Sequence, residues 1–200
     1  ASKAVITVPA YFGEKERQSV THSAEMAGIQ VLALINEPTA AGLAYGINEK
    51  QGDRLVIIMD FGGGTFDASL VQYAGGRADA IASLGDKHLG GKDVDDILLY
   101  MVKERFKNEH SIEVSPDKCP EDFFGIWDQV IRNKHLLSSK REVRLIARAQ
   151  GKQVIMDITR EQLNQQVQPL MDRIKNIVMQ MLNDAKVNKD DVKHALLVGG

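Results

Sequence analysis

The stretch Asp60–Asp67, DFGGGTFD, constrains this chain more than any other. It lies between two apolar runs, RLVIIM (54–59) and ASLV (68–71). Runs of this kind read as buried strands, so the eight residues carry the chain from one strand into the next. Three consecutive glycines suit that task badly on local grounds, because each loses more backbone entropy on ordering than any other residue. Something has to offset the cost. Glycines also bare the backbone, and successive N–H groups with no Cβ in the way form a nest for an anion. Asp60 and Asp67 flank that nest and would repel a bare phosphate. A Mg2+ ion removes the conflict, since it takes carboxylates or their waters on one side and phosphate oxygens on the other. Thr65 adds a hydroxyl beside the same place. The bland alternative is a glycine-rich hairpin loop with incidental acids. The stretch is not a P-loop, having no Gly-Lys-Ser/Thr. Nor is it a dinucleotide fingerprint, since the spacing is wrong and a strand follows.

Two further glycine turns stand at the ends of apolar segments. In GDKHLGGKD (85–93), Gly90 and Gly91 lead into a helix, whose first N–H groups and positive dipole end suit an anion. The chain ends on LLVGG, with Gly199 and Gly200 after a strand. Three such turns together point to a phosphate-binding cleft. His88 has no second His, Cys or acid at ligand spacing and is not read as a metal ligand.

Composition excludes several classes. The 200 residues are 44% apolar and 26% charged, with a net charge of −2. That suits one large or two modest domains with a real core. No strong positive field is present to attract nucleic acid or an anionic membrane. Cys119 stands alone, so there is no internal disulfide framework, and a reducing compartment fits. No apolar run approaches the roughly 20 residues of a membrane span, and no signal peptide opens the chain. The start in a strand (AVITVPAYF) and the end in mid-loop read as an excised piece of a longer protein.

Periodicity gives strands at 4–9, 29–35, 53–61, 65–74 and 75–85, with helices at 14–28, 38–47, 91–109 and 120–138. EVRLIARA and QVIMDI form a hairpin turning at Gln150-Gly151. Residues 159–185 form a long helical segment whose stripe is Leu163, Val167, Leu170, Ile174, Ile177 and Met181. Thr159 and Gln162 make a capping box, and Pro169 should kink or divide the segment. Trp127, Phe123 and Phe124 are expected in the core. The mixture is α/β with several antiparallel strands.

ITVPAYF, INEPTAAGLAYG, DFGGGTFDASL, GDKHLGGKD and LLVGG, in this order and spacing, resemble the ATPase domain of the 70-kDa heat-shock chaperones of the DnaK type. The resemblance covers essentially the whole chain. It implies the actin-like ATPase (ribonuclease H-like) fold, with residues 1–53 as the end of the first lobe and 54–200 as the second lobe. Within the latter, 92–157 would be the outer capping subdomain. It implies ATP or ADP and Mg2+ as ligands. Asp60 and Asp67 would hold Mg2+ through waters. Gly62, Gly63, Gly64 and Thr65 would cradle the β- and γ-phosphates, and Glu37 would stand near the attacking water. Gly90 and Gly91 would contact phosphate and ribose, and Lys134 and Ser138 ribose and adenine. Gly199 and Gly200 would form the turn beneath the adenosine, and Pro9 with Arg17 a relay to a substrate-binding domain. The implied partners are unfolded polypeptide, a J-domain co-chaperone and a nucleotide exchange factor, with no nucleic acid or membrane, and the implied location is the cytoplasm. The bland readings are a helix-capping acid for Glu37, a strand-ending residue for Pro9 and a solvated one for Lys134.

The sequence departs from the family pattern at four places. His135 stands where an Arg usually stacks on adenine, and Ile131 where a Glu usually contacts ribose. His does not reliably supply Arg's planar charge, and Ile accepts no hydrogen bond, so adenosine binding should weaken by about 1–3 kcal/mol. Ala33 replaces an Arg that helps bind the J-domain partner, and Lys92 replaces an acid. These changes leave open a non-cycling co-chaperone or exchange factor, whereas an actin-like filament subunit or sugar kinase would not explain NEPTAA and HLGGKD together. The first phosphate loop and the catalytic lysine of the first lobe are not in this stretch. Phosphoryl transfer needs charge neutralisation from several sides at once, so this chain alone should hydrolyse ATP negligibly. Measurable steady-state turnover by the isolated chain would contradict that.

Overall fold

The computed structural model describes residues 2–45, 52–75 and 77–200. In chain order the elements are β1 (Lys3–Val8), α1 (Glu14–Met26), β2 (Gln30–Asn36), α2 (Glu37–Ala44), β3 (Arg54–Phe61), β4 (Phe66–Ala74) and β5 (Arg77–Asp86). Then follow α3 (Gly91–His110), α4 (Pro120–Ser139), β6 (Glu142–Ala149), β7 (Lys152–Thr159), α5 (Arg160–Asp184) and β8 (Val192–Gly199). Gly46 and Ile47 of the expected second helix, and Gly76 of the expected fifth strand, lie outside the described residues. The chain divides into two compact units, residues 1–88 with 174–200, and residues 89–173.

The first unit holds two sheets. β1 and β2 pair in parallel across α1, as a helical crossover requires. The second sheet has the order β5-β4-β3-β8, with β3, β4 and β5 an antiparallel meander and β8 parallel to β3. Val56, Ile58, Val71 and Tyr73 form its core with Ala41, Leu196 and Val198. Burying each large side chain of this set is worth about 1.5–3 kcal/mol. α2 starts directly from β2, with Asn36 as N-cap and Pro38 in the first turn. Gly42 on α2 lets the helix close on the sheet, because a Cβ there would collide with the Tyr73 hydroxyl.

The second unit packs α3, α4 and the start of α5 on the β6–β7 hairpin. β6 alternates strictly, with Val143, Leu145, Ala147 and Ala149 inward. Its turn has positive φ at both Gln150 (50°) and Gly151 (73°), the geometry of the two-residue type I′ hairpin turn. Phe106, Ile126, Leu145 and Ile158 fill the core, with Phe123 and Trp127 packed against it. Phe124 departs from expectation: it is 61% exposed, because α4 turns Ile126 and Val130 inward and leaves it on the opposite face. Arg160 closes the C-terminus of α4. Its guanidinium donates to the carbonyls of Leu137 (2.8 Å), Ser138 (3.3 Å) and Lys140 (2.9 Å), satisfying acceptors a helix end leaves open.

The capping box forms as expected, with Thr159 and Gln162 exchanging hydrogen bonds of 2.9 and 3.1 Å. The expected division at Pro169 does not occur, and α5 runs unbroken through it. A proline in a helix removes one i→i−4 bond. Here Leu163 is buried before it, and Met181 and Leu182 after it, so packing holds both halves of the helix. The residual cost is testable. Pro169→Ala should raise the thermal midpoint, recovering about 1–3 kcal/mol of helix propensity, or several degrees for a chain of this size. An unchanged or lower midpoint would mean the helix is shaped around the ring.

Candidate functional site

Strand register builds the site. Val198, Asp60, Asp67 and Gly85 form one row across β8, β3, β4 and β5, and Gly199, Phe61, Phe66 and Asp86 form the next. The turn Gly62–Thr65 closes just beyond, with the Gly62 N–H donating to the Thr65 carbonyl at 2.9 Å. Asp60 and Asp67 are therefore direct cross-strand neighbours at one end of the sheet. Gly85 and Gly199 make room for them. A Cβ on Gly85 would collide with the Asp67 carboxylate and come within 2.6 Å of the Phe66 carbonyl. One on Gly199, which has φ +104°, would collide with the Phe61 carbonyl and sit 3.0 Å from Asp60 Oδ1.

The glycines of the turn are different. No atom lies within 4 Å of where a Cβ of Gly63 or Gly64 would stand, and at Gly62 the contact is an ordinary 3.4 Å. None of the three has φ in the left-handed region. Neither packing nor backbone conformation demands glycine there. What they provide is open backbone, the condition for close approach of an anion.

Glu37 reaches the same place as the first residue of α2. Arg17 holds the surrounding backbone: its Nη2 donates to Asn36 Oδ1 at 2.7 Å and its Nε to the Phe12 carbonyl at 3.0 Å. The Phe12 N–H donates in turn to the Pro9 carbonyl at 3.1 Å. A small cleft of about 20 Å³ lies among Pro9, Tyr11, Glu37, Asp60 and Asp67, with the Ser69–Ser83 hydroxyl pair (3.0 Å) on its wall.

The acids strain one another. Burial pushes the Glu37 carboxyl above its usual range, and Asp60 and Asp67 push it further. Burial and then Asp60 raise Asp67, while Lys87 pulls it back. Burial, then Asp67 and Glu37, raise the Tyr11 hydroxyl. Among the described residues, no group of three or more His, Cys, Asp or Glu side chains is set to hold a metal ion directly. Carboxylates in one cleft, as Glu37, Asp60 and Asp67 are, are the donor type that takes a hard divalent ion directly or through its waters.

In the second unit, Gly90 is the N-cap of α3. Its N–H donates to Asp93 Oδ2 at 2.7 Å and its carbonyl accepts from the Asp93 N–H at 3.0 Å, so the helix's own acid occupies its first turn. Gly91 carries the next contact. Lys134 Nζ donates to the Gly91 carbonyl at 3.0 Å and pairs with the buried Asp95 at 2.8 Å. Lys134 is thus a cross-link between α4 and α3 in this state rather than a solvated side chain. Ile131 is half-buried, and His135 and Ser138 are exposed one and two turns along α4. Thr65, Gly63 and Gly64 are exposed beyond β3, and Gly200 follows β8 in open space. Ala33 is exposed on β2 and Lys92 on α3. Sequence reading missed Gly85, Tyr11 and Lys87. The signal for Gly85 was its place directly before Asp86 at a strand end, and for Tyr11 its nearness to Pro9.

The chain is thus an α/β protein with three acids lining one cleft and an open glycine turn just beyond the paired strands that carry two of them. Comparison with known proteins places it more narrowly. The family model described as "Hsp70 protein" matches residues 1–200. The chain is 37% identical to "Chaperone protein DnaK" of Thermosipho africanus and of Thermotoga maritima, over 99% of this chain and 34% of each relative. It is 34% identical to that of Nitrosopumilus maritimus, over 99% of this chain and 32% of the relative. The chain belongs to the Hsp70 family, whose ATPase region has the actin-like fold, and it spans about a third of the length of the curated relatives it matches.

The raised carboxyls set a pH dependence. A carboxyl whose folded pKa exceeds its unfolded value binds more protons when folded, so stability falls as pH rises from about 4, the ordinary carboxylate value, through the raised values. Opposed like charges across strands cost about 0.2–1 kcal/mol. Asp67→Asn should therefore raise the ligand-free thermal midpoint at pH 7 by about 1–4 °C, with the gain vanishing near pH 3, where both forms are neutral. A midpoint lowered at pH 7 would contradict this electrostatic account.

Proposed function

We propose that this chain is part of the ATP-binding domain of a DnaK-type chaperone. In the whole protein, Mg2+-dependent ATP hydrolysis would drive cycles of binding and release of unfolded polypeptide. The observation that carries the reading is the pairing of Asp60 with Asp67 beside an open glycine turn, with Glu37 facing both. On this reading Gly62, Gly63, Gly64 and Thr65 receive the β- and γ-phosphates of ATP or ADP. Asp60 and Asp67 orient the waters of Mg2+, and Glu37 holds the attacking water. Mg2+ when bound supplies neutralisation of the phosphate charge. Gly90, Gly91, Lys134 and Ser138 contact the nucleoside, and Gly199 and Gly200 form the turn beneath it. Lys134 would have to share its ammonium between Asp95 and the ribose.

Residues 1–53 then belong to a first lobe and 54–200 to a second, with 92–157 as its outer part. The separate β1–β2 sheet supports that division. Pro9 and Arg17 couple the cleft to a substrate-binding domain. Arg17 supports this by bonding both the Pro9–Phe12 turn and the residue before Glu37. A J-domain co-chaperone and an exchange factor are the expected partners, and the cytoplasm the expected location. No described helix is long and apolar enough to cross a membrane.

Ile131 and His135 on α4 favour one second reading, a non-cycling relative that binds nucleotide and serves as a co-chaperone or exchange factor. Single-turnover ATP hydrolysis by the full-length parent separates the two. Slow hydrolysis accelerated by unfolded peptide and a J-domain protein is the expected result, with Glu37→Gln slowing it by about 100-fold or more and changing nucleotide affinity far less. Binding without acceleration would favour the second reading. A Glu37→Gln rate equal to wild type would remove Glu37 from the chemistry.

A further inference from the structure

Lys87 follows the end of β5 beside the cleft, and neither the fold nor the family reading supplies a role for it. β5 ends at Asp86, in the same row as Phe61 and Phe66 at the mouth of the cleft. The His88 N–H donates to Asp86 Oδ1 at 2.8 Å, an Asx turn that fixes the backbone on both sides of Lys87. The side chain is exposed, and its ammonium lies 6.0 Å from the centroid of the Tyr11 ring, which lines the cleft. That distance is the outer limit of a cation–π contact, so the ring holds the ammonium only weakly.

The charges around it give the position a meaning. Glu37, Asp60 and Asp67 line the same cleft as Tyr11, whose ring lies beside the Lys87 ammonium. Three carboxylates and one ammonium leave two negative charges, which a single divalent cation cancels. With Lys87 the phosphates of a ligand meet a neutral cleft. Without it they meet a net negative one. A lysine suits such a place because its ammonium is a compact point charge on a flexible four-carbon stem.

We propose that Lys87 is a phosphate-binding residue of this cleft, leaving the face of Tyr11 to contact a non-bridging oxygen of the nucleotide's phosphate chain. The proposal rests on the nucleotide-binding reading above. Lys87 and Tyr11 then act as a pair, the ring parking the ammonium beside the site until a phosphate competes for it.

The test is calorimetric titration of the full-length parent with the magnesium complex of βγ-imido-ATP, at low and at moderate ionic strength. Wild type is compared with Lys87→Ala and Lys87→Arg, and unliganded thermal midpoints report whether each variant folds. Lys87→Ala should weaken binding about tenfold and flatten its salt dependence. Lys87→Arg should stay within about threefold of wild type, because the charge is kept. Wild-type affinity in Lys87→Ala would overturn the proposal. Equal losses in both variants would overturn it too, since the site would then depend on the shape of lysine rather than its charge. No binding by wild type would sink the nucleotide reading itself, and this proposal with it.

Discussion

Two aspartates directly opposite each other on adjacent strands are an arrangement that folding alone disfavours. Asp60 and Asp67 occupy it at the end of the central sheet, with a third acid, Glu37, brought alongside by α2. Much of the local structure makes sense as a way of tolerating that opposition. Gly85 and Gly199 omit the Cβ atoms that would collide with the two carboxylates or the adjoining carbonyls. The Asp86–His88 turn leaves Lys87 at the mouth. Like charges crowded in this way are common at functional sites.

The rest of the fold holds that constellation still. Glu37 needs the end of β2, and Arg17 fixes the end of β2 by bonding Asn36 and the turn after β1 with one guanidinium. Gly42 allows α2 to rest on Tyr73 and the sheet behind it. In the second unit the same economy recurs. Lys134 ties α4 to the start of α3 through the Gly91 carbonyl and Asp95, and Arg160 closes the end of α4 near Ser138. Those two contacts keep the face of α4 that carries Ile131, His135 and Ser138 in a fixed register.

The alternation of EVRLIARA and the stripe of α5 were legible because inward and outward residues differ in type at a fixed period. The glycine turn was legible because three glycines in a row have few uses. What lay beyond the sequence was register. Nothing in the order of residues says that Asp60 pairs with Asp67 and Asp67 with Gly85, and without that pairing Gly85 is one glycine among 17. Lys87 was hidden for a related reason, since its nearness to Tyr11 links residues far apart in the chain. Pro169 does not divide its helix, because burial on both sides of it outweighs the local rule. Phe124 misled because the buried stripe of α4 runs through Ile126, Val130 and Leu137, and Phe124 projects from the other side of the helix.

The account stands on the claim that the clustered acids resist ionising until a cation neutralises them. Carboxyl-detected NMR titration of Glu37 and Asp67, with and without magnesium and a non-hydrolysable nucleotide, tests it directly. Both should titrate above the ordinary carboxylate range of about 4 in the free chain and fall when the magnesium–nucleotide complex is added. Ordinary values in the free chain, or raised values that the complex leaves unmoved, would mean that the opposition of Asp60 and Asp67 is not what the site is built around.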